Sequence, residues 1–430
     1  MQPNFIKTLH CPYSGGRFAI SSVIGESACG IEYAVLSSEG GEFPIVDGIL
    51  RLKLDEYRPP LVDLIKNKKP AQALLTAMDP PVHSRFIGAV GILDRAAHKL
   101  GLNGAAQALA VLKRPWHRAL TEPSGTLAAT AKRLGSKSWA DWQIYRFSMP
   151  AFMPTYPLLH LIQSGPVLDF GCGVGHASFL ISRKVPAAQI SCADYQFSAL
   201  YLARKFFAGG ANFFCLDGNY LLPFESAYFS TVFSSDALHL IDSKVSLARE
   251  FQRVVSGDGA VILPHLHNLL SPVRFGKSLS PEGYGALFDA MNKRVIPEDW
   301  LVTEFICNDT LDLEREWTPR ELKDAIKGLS IVAGRNPSLF QRHRGLWERH
   351  VERMLHPIVN PLYRADGDGG KTVLRKEVPA PKDKLDAGGG IYLPETAVLP
   401  AAPLELKASD REAFVELAKQ FVIVDAPERF

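Results

Sequence analysis

Three glycines, Gly171, Gly173 and Gly175, follow the apolar run PVLDF and precede the helix-like stretch HASFLISRK. The run has the composition of a buried strand, and glycines at its end let the backbone turn sharply and approach a ligand. The first turn of a helix offers N–H groups and a partial positive charge. This arrangement predicts a site for a ligand that carries a carboxylate or a phosphate.

The residues beside the loop narrow the choice of ligand. The dinucleotide fingerprint G-x-G-x-x-G requires glycine at its sixth position, where this chain has His176. Asp169 lies two residues before the first glycine. A carboxylate there would repel a pyrophosphate but suits a ligand with an ammonium and a sulfonium. The sequence is therefore consistent with S-adenosylmethionine, whose amino-acid tail has both charges.

Acidic residues also end the next three predicted strands. QISCAD ends at Asp194, where the ribose hydroxyls of a nucleoside would lie, and FSTVFSS is followed by Asp236. NFFCL is followed by Asp217 and Gly218, where a carboxylate can accept a hydrogen bond from an adenine amino group. Doubly wound sheets bind ligands at the carboxyl ends of their strands, so these acids predict one site at one edge.

At this point the chain resembles the class I S-adenosylmethionine-dependent methyltransferases. The matching features are VLDFGCGVG (167–175), Asp194, Asp217, and the stretch 232–263 with Glu250 and Arg253 before the turn Gly257-Asp258-Gly259. The resemblance covers about 165–265, and EWTPRELKDAIKGLSIVAG resembles the family's last helix and strand. It implies a doubly wound, Rossmann-like α/β fold, S-adenosylmethionine as cofactor, and methyl transfer as the activity.

The resemblance also implies which residues hold the cofactor. Glycines cradle its methionine tail, Asp169 fixes the loop, Asp194 binds the ribose, and Tyr195 packs on the adenine. The complete set is Asp169, Gly171, Cys172, Gly173, Gly175, Asp194, Tyr195, Asp217, Gly218 and Ser235.

Four residues near the end of the predicted site are candidates for catalysis: His239, His265, His267 and Asp236. The cofactor carries the chemistry of methyl transfer, and a base is needed only when the acceptor must lose a proton. Each candidate has a plainer interpretation, as a packed or solvated side chain. His265 and His267 would share one face of a strand, but the sequence offers no third ligand, so no metal site is predicted.

The N-terminal residues CPYSGG and FPIVDGILRL, with Cys29 between them, resemble a small zinc-ribbon domain. That domain is the activator subunit of several tRNA and translation-factor methyltransferases. Ser14 stands where the pattern has its second cysteine, and Cys29 has no paired cysteine nearby. A tetrahedral zinc site needs four ligands, and Cys11, Cys29 and His10 would supply only three. We therefore expect a degenerate, metal-free domain with a structural or partner-contact role.

Composition divides the 430 residues into four segments. They are a β-rich domain (1–55), a helical region (56–150), a methyltransferase domain (151–345) with a lid-like insertion (266–317), and a C-terminal extension with a Pro/Gly-rich arm (346–430). The insertion is expected either to cover an apolar acceptor or to pack on the domain, through Phe275, Tyr284, Phe288 and Trp300. The aromatic-rich stretch 138–157 either closes over the cofactor or belongs to the core. Ser409 and Glu412 predict a capping box for a helix at 410–420.

Bulk properties leave the acceptor open. The net charge is +3, no cysteines have C-x-x-C spacing, and no signal peptide or membrane span is recognised. We therefore expect a cytoplasmic protein without membrane contact, and make no prediction of its oligomeric state. A small-molecule acceptor is favoured by the aromatic insertion. Short basic runs at 66–69, 113–114, 132–133 and 342–344 keep RNA as an alternative, and a non-catalytic cofactor- or partner-binding protein is the third.

Overall fold

A computed structural model describes residues 1–78, 122, 125–134, 136–272, 276–325, 328–366, 372–378 and 392–430. Eleven strands form its largest sheet. In chain order they are β1 (Ala19–Ser27), β2 (Gly30–Ser38), β3 (Gly41–Val46), β4 (Ile49–Arg51), β5 (Val167–Phe170), β6 (Ile190–Asp194), β7 (Asn212–Cys215), β8 (Phe229–Phe233), β9 (Val255–Leu266), β10 (Asn292–Pro297) and β12 (Leu329–Gly334).

Smaller sheets and helices surround this large sheet. The remaining strands are β11 (Thr310–Asp312), β13 (Arg342–Arg344), β14 (Pro357–Val359), β15 (Tyr363–Asp366), β16 (Thr372–Lys376), β17 (Thr396–Leu399) and β18 (Ile423–Asp425). The α-helices are α1 (Pro3–Ile6), α2 (Arg58–Lys66), α3 (Pro70–Ala77), α4 (Leu127–Leu134), α5 (Lys137–Tyr145), α6 (Thr155–Leu159), α7 (His176–Ser182), α8 (Phe197–Leu202), α9 (Lys244–Val254), α10 (Pro281–Ala286), α11 (Glu298–Asn308), α12 (Pro319–Lys323), α13 (Leu346–Arg353), α14 (Pro403–Ser409) and α15 (Arg411–Lys419).

The predicted doubly wound sheet is confirmed. Its strand order is β7-β6-β5-β8-β9-β12-β10. The first five of these strands are parallel, and β12 and β10 complete the sheet in antiparallel pairing. The order reverses between β5 and β8, and this switch point is where open α/β sheets bind ligands.

Alternation along the strands explains why the sheet is covered on both faces. Successive side chains of a strand point to opposite faces. Thus Val167 belongs to one hydrophobic cluster and its neighbour Leu168 to the other, and Phe213 and Phe214 are divided in the same way. Because both clusters are buried, these short strands are apolar at nearly every position.

The N-terminal strands β1–β4 extend the same sheet. β4 pairs in parallel with β7, with Ile49 opposite Phe213 and Arg51 opposite Cys215. Val35 and Leu36 of β2 lie in the two hydrophobic clusters that cover the central strands. The β-rich segment expected at 1–55 is present, and it shares the core of the main sheet.

The cysteines of this segment lie in different surroundings. Cys11 is buried and Cys29 is exposed. Burial raises the pKa of the Cys11 thiol, but hydrogen bonds with Ser38 and Ser14 outweigh it and bring that pKa below its usual value. His10 has its Nδ1 atom 3.0 Å from the carbonyl oxygen of Gly15. Ser14, which replaces the second cysteine of the ribbon pattern, is thus a neighbour of Cys11.

The segment 266–317 packs several of its aromatic side chains against the main domain. It contributes β10 to the main sheet, and both Tyr284 and Phe288 are fully buried in one of the two clusters. Trp300 packs edge-on against Trp317. These apolar rings are covered because the segment completes the sheet and its core. Phe275 lies outside the described residues.

The aromatic stretch 138–157 is likewise mostly core. Phe147 and Phe152 are buried and surround the ring of His176, at centroid distances of 4.7 and 6.1 Å. They hold α5 and the turns after it against α7. One polar residue of this stretch, Arg146, reaches the candidate site described below.

The C-terminal extension packs on the main domain. The Nδ2 atom of Asn360 donates a hydrogen bond to Ser148, and Arg183 forms an ion pair with Asp425 at 2.9 Å. Strands β15, β16 and β17 form a small sheet within the segment expected as an arm, of which 367–371 and 379–391 lie outside the described residues. The predicted capping box is wrong, because Asp410 rather than Ser409 caps α15.

None of the helices in the described ranges has the length and apolar character needed to cross a bilayer.

Candidate functional site

The glycine loop leaves the end of β5 in a left-handed backbone conformation. Gly171 has φ +68° and donates its N–H to the carbonyl of Ala193 at 2.7 Å. A Cβ atom there would lie 2.3 Å from that of Ala237, so only glycine fits. Gly173 has φ +56°, and a Cβ atom there would meet no protein atom within 4 Å. The loop therefore packs closely at its first glycine and opens at its second.

Asp194 fastens this loop to the end of β6. Its Oδ2 atom accepts the N–H of Gly173 at 2.9 Å, and its Oδ1 atom accepts the N–H of Gln196 at 2.8 Å. Burial raises the pKa of Asp194, against the hydrogen bonds that stabilise its charge. The predicted ribose-binding carboxylate thus lies beside the predicted tail-binding loop.

Asp169 lies beneath the loop and is almost completely buried. The hydroxyl of Ser178, on α7, donates a hydrogen bond to Oδ2 of Asp169 at 2.5 Å. Burial raises the pKa of Asp169 to about 7, and nearby Asp194 acts in the same direction. Asp169 therefore joins β5 to α7 beneath the loop. Cys172, next to this strand, is also buried.

The candidate adenine end is bounded by Asp217 and Tyr195. Asp217 accepts hydrogen bonds at Oδ1 from the backbone N–H and the Nδ2 atom of Asn219. Tyr195 is 55% exposed. The Nζ atom of Lys53 lies 3.6 Å from the centre of the Tyr195 ring, a cation–π contact. Sequence reasoning missed Lys53, because only the pairing of β4 with β7 brings it here.

Gly218 differs from the other predicted contacts. A Cβ atom at Gly218 would lie 2.6 Å from the Cζ atom of Phe170 and 3.0 Å from Ile241. The packing around this turn therefore requires a residue without a side chain, because a Cβ atom at Gly218 would point into protein.

The four predicted catalytic candidates lie together at the ends of β8 and β9. Oδ1 of Asp236 is 3.8 Å from Nε2 of both His239 and His265. The ring of His267 lies 4.6 Å from that of His239 and 4.9 Å from that of His265, between centroids. Parallel pairing of β8 with β9 brings these loops together. We call Asp236, His239, His265 and His267 the histidine–aspartate cluster.

Two residues that the sequence did not indicate support this cluster. Nη2 of Arg146 donates to Oδ2 of Asp236 at 2.8 Å, and Nδ1 of His265 lies 2.9 Å from Oε2 of Glu298. Glu298 also accepts a hydrogen bond from Ser330 at 3.1 Å. Arg146 lies in the turn after α5, and Glu298 is the first residue of α11. Neither element belongs to the recognised motifs, so no local pattern indicated these residues.

The surroundings of the three histidines shift their pKa values in different directions. Burial lowers the pKa of His239 to about 4 and also lowers the pKa of His267. Burial acts in the same direction on His265, but the carboxylates of Glu298 and Asp236 outweigh it and raise its pKa. Burial opposes the ionisation of Asp236, yet Arg146 and the histidines bring its pKa below its usual value. Near neutral pH the cluster therefore contains two neutral imidazoles beside an ionised aspartate.

The backbone of the cluster is strained at two positions. Asp236 has φ +57° and His265 has φ +59°. Left-handed backbone is uncommon for residues other than glycine, and such strain concentrates at functional sites. Ser235, just before Asp236, has its hydroxyl 3.1 Å from that of Thr155. The fold therefore maintains an unfavourable conformation in order to present these side chains.

The residues at this edge fit S-adenosylmethionine. Gly173 opens onto unfilled space, Asp194 and Asp217 place carboxylates at successive strand ends, and Tyr195 presents an exposed ring. The histidine–aspartate cluster lies across the switch point, at the ends of β8 and β9.

Residues 168–263 match the model of a protein family described as a methyltransferase domain. The chain is 32% identical over 114 residues to a ubiquinone/menaquinone biosynthesis C-methyltransferase from Desulfotalea psychrophila, covering 25% of this chain and 46% of that protein. It is 26% identical over 228 residues to a malonyl-[acyl-carrier protein] O-methyltransferase from Laribacter hongkongensis, and the match covers 49% of this chain and 73% of that protein. The chain thus spans less than half the length of the first of these relatives.

A similar solved structure is the complex between the Haloferax volcanii Trm112 methyltransferase activator and a proposed methyltransferase. It is 15% identical, covers 45% of this chain and 93% of that one, and has a TM-score of 0.35. The family match and the curated relatives agree with the strand order and the glycine loop. Residues 168–263 therefore form a class I S-adenosylmethionine-dependent methyltransferase domain.

Proposed function

We propose that this chain, whose residues 168–263 form an S-adenosylmethionine-dependent methyltransferase domain, methylates a small-molecule acceptor by in-line displacement. The observation that carries the proposal is the position of the histidine–aspartate cluster. It faces the same edge of the sheet as Gly173 and Asp194, across the switch point between β5 and β8. A cofactor held by the loop and an acceptor held by the cluster would meet there.

When bound, S-adenosylmethionine supplies a methyl group activated by its sulfonium. The chain's own residues then have two tasks, to orient the acceptor and to accept its proton where it has one. His239 and His267 are suited to accept a proton, because burial lowers the pKa of each and leaves it neutral near pH 7. Asp236, held by Arg146, can orient either ring.

Two features favour a small acceptor over RNA. His239 and His265 are buried, as suits an acceptor that can enter a narrow site. In three of the basic runs one residue pairs with an acid elsewhere in the chain, as in the ion pairs Lys66–Glu42, Arg133–Glu122 and Arg342–Asp312. The run at 113–114 lies outside the described residues. The name of one curated relative, a ubiquinone/menaquinone biosynthesis C-methyltransferase, also favours this class.

The experiment that tests the proposal is transfer of a labelled methyl group from S-adenosylmethionine. Purified protein is incubated separately with a metabolite extract and with total RNA. We expect label in the metabolite fraction, and expect an Asp194→Ala variant to lose it. Asp258→Ala, which removes an exposed carboxylate near the start of β9, is the control and should remain active.

Label confined to RNA would replace the small-molecule proposal with an RNA acceptor. Absence of transfer to either pool, by protein that binds the cofactor, would contradict both and favour a non-catalytic role.

A further inference from the structure

We propose that Asp236, His265 and His267 hold a divalent transition-metal ion such as Zn²⁺. Each side chain offers a ligand atom, and these atoms all lie within 4.8 Å of one another. Within the described ranges this is the only group of three or more histidine, cysteine or acidic side chains that converges in this way. The sequence supplied the two histidines without a third ligand, and the fold supplies Asp236. We call these residues the metal triad.

The ligand atoms of the triad, which lie within 4.8 Å of one another, must draw together by at most about 1.4 Å to share one ion. Bonds from Zn²⁺ to imidazole nitrogen or carboxylate oxygen are about 2.0–2.2 Å, which places two ligand atoms on one ion roughly 3.4 Å apart. Nε2 of His265 and Oδ1 of Asp236 are 3.8 Å apart. A side-chain movement of a few tenths of an ångström would therefore bring these two atoms to the separation that two ligands of one ion have.

Glu298 prepares His265 for this role. The 2.9 Å contact between Nδ1 of His265 and Oε2 of Glu298 directs the Nδ1 proton to the carboxylate. Nε2, on the other side of the ring, is then the atom that faces Asp236. Metal-binding histidines commonly donate their second N–H to a carboxylate in this way, which fixes the tautomer and orients the ring.

Charge around the triad also accommodates a cation. Two carboxylates, those of Asp236 and the buried Glu298, lie beside His265, and one guanidinium, that of Arg146, is bonded to Asp236. Arg146 bonds to Oδ2 of Asp236, while Oδ1 is the oxygen that faces the histidines. The guanidinium and an ion would therefore use different oxygens of the same carboxylate.

The ligand types limit the ion and indicate the acceptor. Two imidazoles and one carboxylate suit Zn²⁺, Fe²⁺ or Mn²⁺ rather than the oxygen-seeking Mg²⁺ and Ca²⁺. Three protein ligands leave a position for substrate, as in catalytic zinc sites. Resting on the proposed function, this indicates an acceptor that presents an oxygen donor to the ion.

The test uses the full chain, stripped with a chelator and titrated with Co²⁺, whose visible absorption reports nitrogen and oxygen ligation. We expect one Co²⁺ per chain. His267→Ala and Asp236→Asn should weaken binding at least about tenfold, and Glu298→Gln by about tenfold, as for other residues that orient metal ligands. Cys29→Ser, in the segment that resembles a zinc ribbon, is the control and should bind normally.

Calorimetry with S-adenosylmethionine on each variant separates loss of the ion from loss of the fold. Retained cofactor binding by a His267→Ala protein that has lost Co²⁺ supports the triad. Absence of stoichiometric Co²⁺ binding, binding unchanged in His267→Ala, or binding lost in Cys29→Ser would overturn it. If wild type binds Co²⁺ through the triad but no cofactor, the metal site stands and the methyl-transfer proposal fails.

Discussion

Replacing Asp169 with asparagine removes a titratable group from beneath the glycine loop with little change of shape. The amide oxygen can still accept the hydrogen bond from Ser178. Burial raises the pKa of Asp169 from 3.8 to about 7 in the folded protein. Between these values the unfolded chain loses the proton while the folded chain keeps it. Stability due to this group therefore falls as pH rises through this window.

The size of the effect follows from the two pKa values. One pKa unit corresponds to 1.36 kcal/mol, so wild type loses up to about 4 kcal/mol between pH 3.8 and pH 7 that the Asp169→Asn protein does not lose. The assay is chemical unfolding of both proteins, without ligand, at several pH values from 4 to 8. The quantity of interest is the difference between their free energies of unfolding.

Asp258→Asn is the matched control, since this carboxylate is exposed and its loss should leave the pH dependence unchanged. We expect wild type to lose stability relative to Asp169→Asn as the pH rises, with the change complete near pH 8. A difference that stays constant over this range, or that grows in the opposite direction, would refute the reasoning that burial keeps Asp169 protonated.

Three further substitutions test other parts of the structure by chemical unfolding. Gly171→Ala should destabilise the protein by about 2–4 kcal/mol, because the backbone there is left-handed and the new methyl group would overlap Ala237. The control Gly257→Ala, whose methyl group would meet no atom within 4 Å, should change stability by less than about 1 kcal/mol. Equal effects of the two substitutions would contradict this prediction. Arg146→Leu should lower the free energy of unfolding by about 3 kcal/mol, because it leaves Asp236 without its ion-pair partner. The control Arg133→Leu breaks an exposed ion pair and should cost less than about 1 kcal/mol. An Arg146→Leu protein as stable as wild type would contradict a stabilising role for this ion pair. Asp410→Ala should remove about 1 kcal/mol by uncapping α15, and a larger loss from Ser409→Ala would restore the capping box that the sequence predicted.

The parallel centre of the fold was predictable because its signals are local. Each of β5, β6, β7 and β8 is short and mostly apolar, and a glycine or an acid lies at its last position or within three residues after it. The edges of the sheet carry no such signal. β10 is partly exposed and polar along half its length, and nothing local in β4 indicates that it pairs with β7, some 160 residues away in the chain.

The candidate site shows the same division. Asp236, His239, His265 and His267 follow parallel strands that the sequence revealed, and adjacent strand ends converge. Arg146, Glu298 and Lys53 reach the site from a turn, a helix and an N-terminal segment whose positions depend on tertiary packing. Ser409 and Asp410 are adjacent, and both residue types are favourable N-caps. Which of them caps α15 depends on the residue at which that helix begins, and the sequence did not indicate that residue.

We expect the loop at Gly173 and the carboxylate of Asp194 to bind S-adenosylmethionine. The most direct measurement is calorimetric titration of the purified chain with S-adenosylmethionine and its demethylated product, beside Asp194→Ala and the control Asp258→Ala. We predict saturable binding of both ligands to one site per chain, lost in Asp194→Ala and kept in Asp258→Ala. Well-folded wild type that binds neither ligand, or binding unchanged in Asp194→Ala, would contradict the account.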